Sequence, residues 1–200
     1  MRKDLHFCVD IDNVLGDTDE VMRRVIAEFT DGRVQLSYQH VKEFNYADCV
    51  DDNGCRISKE EWNAIHDLFS EPRFLWQIQP TAGAVKGLHE LSRYGAVHIA
   101  TTRLPKARRT TVEWLENHGF PPHDLHFLKH GQKHSSLRVF TAAVEDDYDQ
   151  AASFASIADT RSFLIRHPWN AEKPAINRVR WVKDWDELVP EVSRMTDARG

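Results

Sequence analysis

Apolar and polar positions along this chain change period repeatedly, and each change predicts an element. The run LHFCVDI, 5–11, is short and nearly continuous in apolar residues, as in a strand covered on both faces. A helix follows at once. Asp17 is its candidate cap, with Glu20 three positions on, and Val21, Met22, Val25, Ile26 and Phe29 recur at helical spacing until Gly32. From about 33 to 78 strands fade and short helical pieces stand behind polar caps. There Ser58 and Glu61 form a capping box ahead of Trp62, Ile65, Leu68 and Phe69 on one face. After Pro80 the alternation resumes. AGAVKGLHELSRYG reads as a helix ended by Gly95, AVHIATTR as a strand, KARRTTVEWLENHG as a helix ended by Gly119, and LHFL, 125–128, as a strand. A short helix near 133–142, a strand AAVEDD, a further helix, strands SFLIRH and RVRWV around the loop PWN, and a helix from Asp184 complete the chain.

Strands joined by helices predict an α/β fold, a Rossmann-like parallel sheet with helices on both faces. A small α-helical cap is inserted after the first strand. The expected division is 1–16 and 79–200 as the core and 17–78 as the cap. Two hundred residues suit one domain with such an insert. Aromatics of the insert, Phe44, Tyr46, Trp62, Phe69, Phe74 and Trp76, can form its own core or offer a stacking wall for a base.

Composition narrows the partners. A net charge of −5 and a pI near 6.1 give no overall basic surface, so polymeric nucleic acid is not expected. Three cysteines, Cys8, Cys49 and Cys55, with no CxxC pair, suit reduced thiols rather than a disulfide framework. The N-terminus meets acids too early for a signal peptide, and no apolar run approaches the ~18 residues of a membrane span. A cytoplasmic protein with no membrane partner is expected.

Ligands of such sheets bind beyond the carboxyl ends of the strands, and there the polar residues collect. The first strand ends in Asp10 and Asp12, a core strand in Thr101, Thr102 and Arg103, a later one in Glu145, Asp146 and Asp147, and Lys133 opens the helix before it. Clustered carboxylates repel and need a cation; an all-oxygen ligand set selects a hard one such as Mg2+. A metal with Lys and Thr donors makes a place for a phosphate. The histidines His118, His123, His126, His130 and His134 mix a helix end, a loop and a strand, so no shared metal-binding face follows from their spacing.

The order DxDxV (Asp10, Asp12, Val14), a strand-ending Thr101, a helix-opening Lys133 and the acidic pair Glu145 and Asp146 resembles the haloacid dehalogenase (HAD) superfamily of phosphohydrolases over nearly the whole chain. The insert resembles that superfamily's first-type cap. FLWQIQPTAGAVKGLHELSRYGAVHIATTR and the HPWN loop are similar to bacterial 5'(3')-deoxyribonucleotidases. The resemblance implies Asp10 as nucleophile and Asp12 as general acid and base. It implies Mg2+ held by Asp10, Asp146 and the Asp12 carbonyl, with Glu145 or Asp147 behind them. Phosphate would rest on Thr101, Thr102, Lys133 and Arg103, with Lys129 the competitor to Lys133. Phe44, Tyr46, Trp62 and Trp76 would set specificity from the cap, and Trp169 and Asn170 would shape a loop near the site. Asn13 stands where glycine is common, and Asn also tolerates a left-handed backbone.

The activity so implied is hydrolysis of a small phosphomonoester, a 5'(3')-(deoxy)nucleotide first. A sugar phosphate and a catalytically silent binding role are the alternatives. A dehalogenase would leave Asp12 without a task, because a leaving halide needs no acid. A homodimer is compatible with the sequence, which does not specify oligomeric state.

Overall fold

The computed structural model describes residues 5–121, 123–137 and 140–197. Six strands form one parallel sheet: β1 (His6–Val9), β2 (Ala96–Thr101), β3 (Asp124–Phe127), β4 (Ala142–Glu145), β5 (Arg161–Ile165) and β6 (Val179–Val182), in the order β3-β2-β1-β4-β5-β6. The helices are α1 (Thr18–Phe29), α2 (Lys59–Phe69), α3 (Pro72–Leu75), α4 (Ala84–Tyr94), α5 (Arg108–Asn117), α6 (Lys133–Ser136), α7 (Tyr148–Ala155) and α8 (Trp185–Asp197). Strand order reverses direction between β1 and β4, so right-handed crossovers put the two sets of helices on opposite faces. Phe7, Val9, Val97, Ile99 and Val144 pack into the larger core on one face. Cys8, Ala100 and Ala143 meet Phe140 and Phe154 on the other. The near-continuous apolar character of these strands follows from that double cover.

The strand predicted over 5–11 ends earlier, at Val9, because Ile11 turns the chain: its carbonyl accepts from the backbone N–H groups of Val14, Leu15 and Gly16. Asn13 sits in this turn at φ 58°, the left-handed conformation its side chain tolerates. Asp17 occupies the N-cap position of α1 but makes no capping hydrogen bond. Asn13 does the work instead, its Oδ1 accepting from Asp19 N at 2.8 Å. This cap comes from six residues upstream, outside the local window that a capping pattern samples. The Ser58 and Glu61 box forms as predicted. The helix expected near 133–142 is the single turn α6; Arg138 and Val139 lie outside the described residues.

Between β1 and β2 the chain forms helices and short 3₁₀ turns, with isolated bridges at Asp12, Gly16 and Pro80 in place of a strand. Ile57, Ile65, Phe69, Phe74 and Leu75 from this segment join the same apolar cluster as the sheet. Trp114 and Trp185 anchor it to the rest, donating their indole N–H to the carbonyls of Ile78 and Val14, each at 2.9 Å.

Candidate active site

The carboxyl ends of β1 and β4, neighbours at the reversal point, deliver Asp10 and the pair Glu145 and Asp146 to one place. A crevice at such a reversal is where open α/β sheets bind ligands. One carboxylate oxygen from each of the three lies within 4.8 Å of the others. Lys133 is fully buried against them, with Nζ 2.9 Å from Asp10 Oδ1 and 3.1 Å from both Glu145 oxygens. Asp10 Oδ1 also accepts from the Ile11 N–H at 2.7 Å. Asp10 lines the cleft, and its Oδ2 accepts no hydrogen bond among the described residues.

Burial dominates the protonation of this group. It pushes Asp10 up, against the pull of Lys133 and with the push of Asp12. Asp146 is driven well up by burial and then by Asp10 and Asp147. Glu145 is likewise raised by burial, although Lys133 opposes it. Burial would also strip Lys133 of its proton, but Asp10 and Glu145 overcome that and hold it charged. When all three carboxyls are ionised, one ammonium leaves two negative charges in a buried site. That is the charge, and all-oxygen donors are the chemistry, of a hard divalent cation. Asp10, Glu145 and Asp146 therefore fit a metal such as Mg2+.

Asp12 stands differently. Its carboxylate takes Arg103 Nη2 at 2.8 Å and Nε at 3.1 Å, and the Thr18 hydroxyl at 2.7 Å. Burial raises its pKa, but Arg103 and Thr18 outweigh that and hold the carboxyl below its ordinary value. Arg103 and Thr18 thus favour the charged form of the side chain expected as general acid and base. Arg103, expected on the phosphate, spends its guanidinium on Asp12 and on the Thr111 hydroxyl at 3.2 Å. Lys133 Nζ likewise sits against carboxylate oxygens, Asp10 Oδ1 and both oxygens of Glu145. Lys129 is exposed, so the buried cation of the site is Lys133.

The remaining expected residues divide. Thr102 lines the cleft, whereas the buried Thr101 accepts the Arg103 N–H at 3.1 Å. Asp147 caps α7 through Asp149 N at 2.8 Å and pairs with His130 at 2.7 Å, which raises the His130 pKa. It is turned to that work rather than to the metal group. Tyr46 and Trp62 stack at 5.5 Å between ring centres and line the cleft with Phe44. Trp76 is 39% exposed and lines none of it. Its place at the C-terminal cap of the short α3, exposed, could not be read from an aromatic count. Trp169 forms part of the wall, and Asn170 ties the loop down by donating to the Asp146 and Ile165 carbonyls, both at 2.8 Å.

Sequence reasoning missed Thr18, Met22, His66 and Gln150, which also line the cleft. Thr18 and Met22 lie on the α1 face credited only with core packing. Gln150 and Trp169 carry a further signal. Gln150 Oε1 and Trp169 Nε1 are buried without a hydrogen-bond partner, an acceptor and a donor left for a ligand. The cleft encloses about 120 Å³. A larger open depression around Arg33, Arg56 and Glu61 gathers no converging carboxylates and lies apart from this chemistry.

Comparisons with known proteins agree with this geometry. The family model for 5' nucleotidase, deoxy (pyrimidine), cytosolic type C protein matches residues 4–194. Among curated proteins no match is found. A HAD family hydrolase of Deinococcus radiodurans, solved with bound phosphate and sodium, is 13% identical at TM-score 0.66, covering 97% of this chain and 96% of that one. A haloacid dehalogenase-like hydrolase of Streptococcus pneumoniae is 12% identical at TM-score 0.63, covering 94% and 98%. The HAD hydrolase YfnB of Bacillus subtilis, bound to magnesium, is 14% identical at TM-score 0.58, covering 95% and 99%. At these identities the solved structures carry the fold, and the family match carries the activity class. The chain belongs to the cytosolic type C 5'-nucleotidase family, and is a phosphohydrolase of the HAD superfamily.

Proposed function

We propose that this protein is a Mg2+-dependent phosphomonoesterase acting on nucleoside monophosphates, deoxynucleotides first, in the cytosol. The observation that carries the reading is Asp10 at the cleft, its Oδ1 fixed by Lys133 and the Ile11 N–H while Oδ2 accepts no hydrogen bond among the described residues. A carboxylate pinned on one side is an oriented nucleophile on the other. Asp10 Oδ2 attacks the phosphorus in line, the ester P–O bond breaks, and the phosphoryl group rests on Asp10. Asp12 gives a proton to the leaving alkoxide. The dianionic phosphate beside it supplies the upward push that the resting site lacks, and draws Arg103 toward the phosphate oxygens. Asp12 then takes a proton from the water that attacks the phosphorus and frees Asp10. Asp10, Glu145 and Asp146 would hold a Mg2+ ion, whose positive charge would offset the repulsion between phosphate and carboxylates.

Residues 17–78 act as the cap over a core of 1–16 and 79–200. Trp62 and Tyr46 offer a stacking face, while Gln150 and Trp169 offer an acceptor and a donor to the polar part of the substrate. A cleft of about 120 Å³ is smaller than the ~300 Å³ at which small-molecule sites usually begin, so a nucleotide requires the cap to move outward. The same volume favours a second reading, a smaller phosphoester such as a sugar phosphate.

The test is phosphate release from 5'- and 3'-(deoxy)nucleoside monophosphates and from sugar phosphates, with Mg2+ and with chelator, for wild type and Trp62→Ala. Mg2+-dependent release favouring nucleotides, with KM raised for nucleotides alone in the variant, supports the reading. Release favouring sugar phosphates and indifferent to Trp62 keeps the chemistry and discards the nucleotide.

A further inference from the structure

Away from the carboxylate cleft, a second group of ligating side chains spans three adjacent strands. His6 opens β1, His98 lies within β2, and Asp124 and His126 lie in β3. Register sets His98 beside Cys8 on one side and Asp124 on the other, with Ala100 opposite His126. Residues in register and two apart along a strand share a face, so all four point to the side of the sheet that holds Phe140 and Phe154. His98 Nδ1 lies 3.4 Å from His126 Nε2 and 3.3 Å from Asp124 Oδ2. The three ligand atoms lie within 4.8 Å of one another. The other ring nitrogen of His98, Nε2, is 3.0 Å from His6 Nδ1.

We propose that His98, His126 and Asp124 form a binding site for a divalent transition cation of the Zn2+ type, with His6 as the residue that orients His98. Tetrahedral ligands at about 2.0–2.1 Å from zinc stand about 3.3–3.4 Å from one another. Both distances from His98 Nδ1 fall there without any movement. A hydrogen bond accounts for them less well. N–H···O bonds centre near ~2.9–3.0 Å, and a single proton on Nδ1 serves one neighbour where a cation serves both.

His6 completes the pattern. With the His98 proton on Nε2 and donated to His6 Nδ1, the Nδ1 lone pair faces Asp124 and His126. Metal-binding histidines are usually held by such a partner on the second nitrogen. Imidazole donors select zinc-like ions over the Mg2+ suited to the oxygen cluster. The Asp124 side chain is 70% exposed while His98 is buried. One ligand is therefore rigid and another free to swing, with entry from the β3 edge. His98 precedes Thr101 by three strand residues, roughly 10 Å, which separates this site from the cleft. Of the five histidines noted between 118 and 134 only His126 takes part, and its partner His98 comes from a strand that linear spacing cannot bring to it.

The test uses metal-free full-length protein with excess Mg2+ present to occupy the oxygen cluster, titrated with Co2+ and followed by visible absorption. Wild type is expected to bind one Co2+ per chain with the intense d–d band of a low-coordinate site. Affinity is expected to fall at least about tenfold in His126→Ala and Asp124→Asn, and to be unchanged in the exposed control His89→Ala. Zn2+ should raise the Tm of wild type and of the control but not of Asp124→Asn, whose exposed side chain makes a folding failure an unsuitable explanation. Absence of the band in wild type, or equal Co2+ binding by all four proteins, would overturn the proposal and leave a hydrogen-bonded histidine network.

Discussion

Replacing Lys133 by Met removes the only cation among the described residues that pairs with Asp10 and Glu145, while keeping the length and apolar stem of the side chain. At 2.9 Å and an effective dielectric of about 20, attraction to one carboxylate is about 6 kcal/mol, most of it offset by the cost of drying the charges. Leaving buried carboxylates without their partner typically costs about 3–5 kcal/mol. Complete burial of the ammonium places this site at the upper end of that range. Urea unfolding without metal should therefore show Lys133→Met less stable by about 4 kcal/mol at unchanged slope. Glu145→Gln should cost less, because Lys133 keeps Asp10. The double variant should be more stable than the sum of the singles by at least ~1 kcal/mol, because one of the two orphaned acids is gone. The Lys133→Met deficit should also shrink as pH falls. Its orphaned carboxylates, raised in the native state, bind protons that the unfolded chain does not, so native stability is gained on acidification. A loss below ~1 kcal/mol for Lys133→Met, or strict additivity, would refute the view that this ammonium neutralises the cluster.

Asp146 and Glu145 are raised above their unfolded values, so without metal they favour the native state at low pH and lose that favour as pH rises through their folded values. Mg2+ must displace those protons, and the Tm gain on adding Mg2+ should grow as pH rises; a gain that is flat or falls with pH contradicts the site. In α4, Gly87→Ala would gain up to ~1 kcal/mol of helix propensity but put its Cβ 2.2 Å from Trp185 Cε3. Overpacking of ~1–3 kcal/mol or more should win, and thermal unfolding that shows Gly87→Ala as stable as wild type would refute the close packing of α4 on Trp185.

The strand and helix alternation was legible because parallel strands buried on both faces leave continuous apolar runs, and the ends of β1 and β4 announced their acids. Lys133 could be preferred over Lys129, and Asn13 accepted in a left-handed turn, from local chemistry alone. What stayed hidden depends on register and approach between distant segments. Arg103 meets Asp12 across 91 positions, Asn13 caps α1 from outside its window, and Asp147 is drawn to His130 and α7. Tyr46 and Trp62 could be nominated for the cleft but not told apart from Trp76, since an aromatic side chain's direction off a short helix is set by what packs beneath it.

The central claim is that Asp10 receives the phosphoryl group, and the direct measurement is rapid acid quench of the enzyme during turnover of a radiophosphate-labelled deoxynucleoside monophosphate. The account predicts label on the peptide that contains Asp10, released by hydroxylamine as an acyl phosphate is, and absent from Asp10→Asn along with turnover. Turnover by Asp10→Asn at the wild-type rate, or turnover by wild type with no label on that peptide at any quench time, would contradict it.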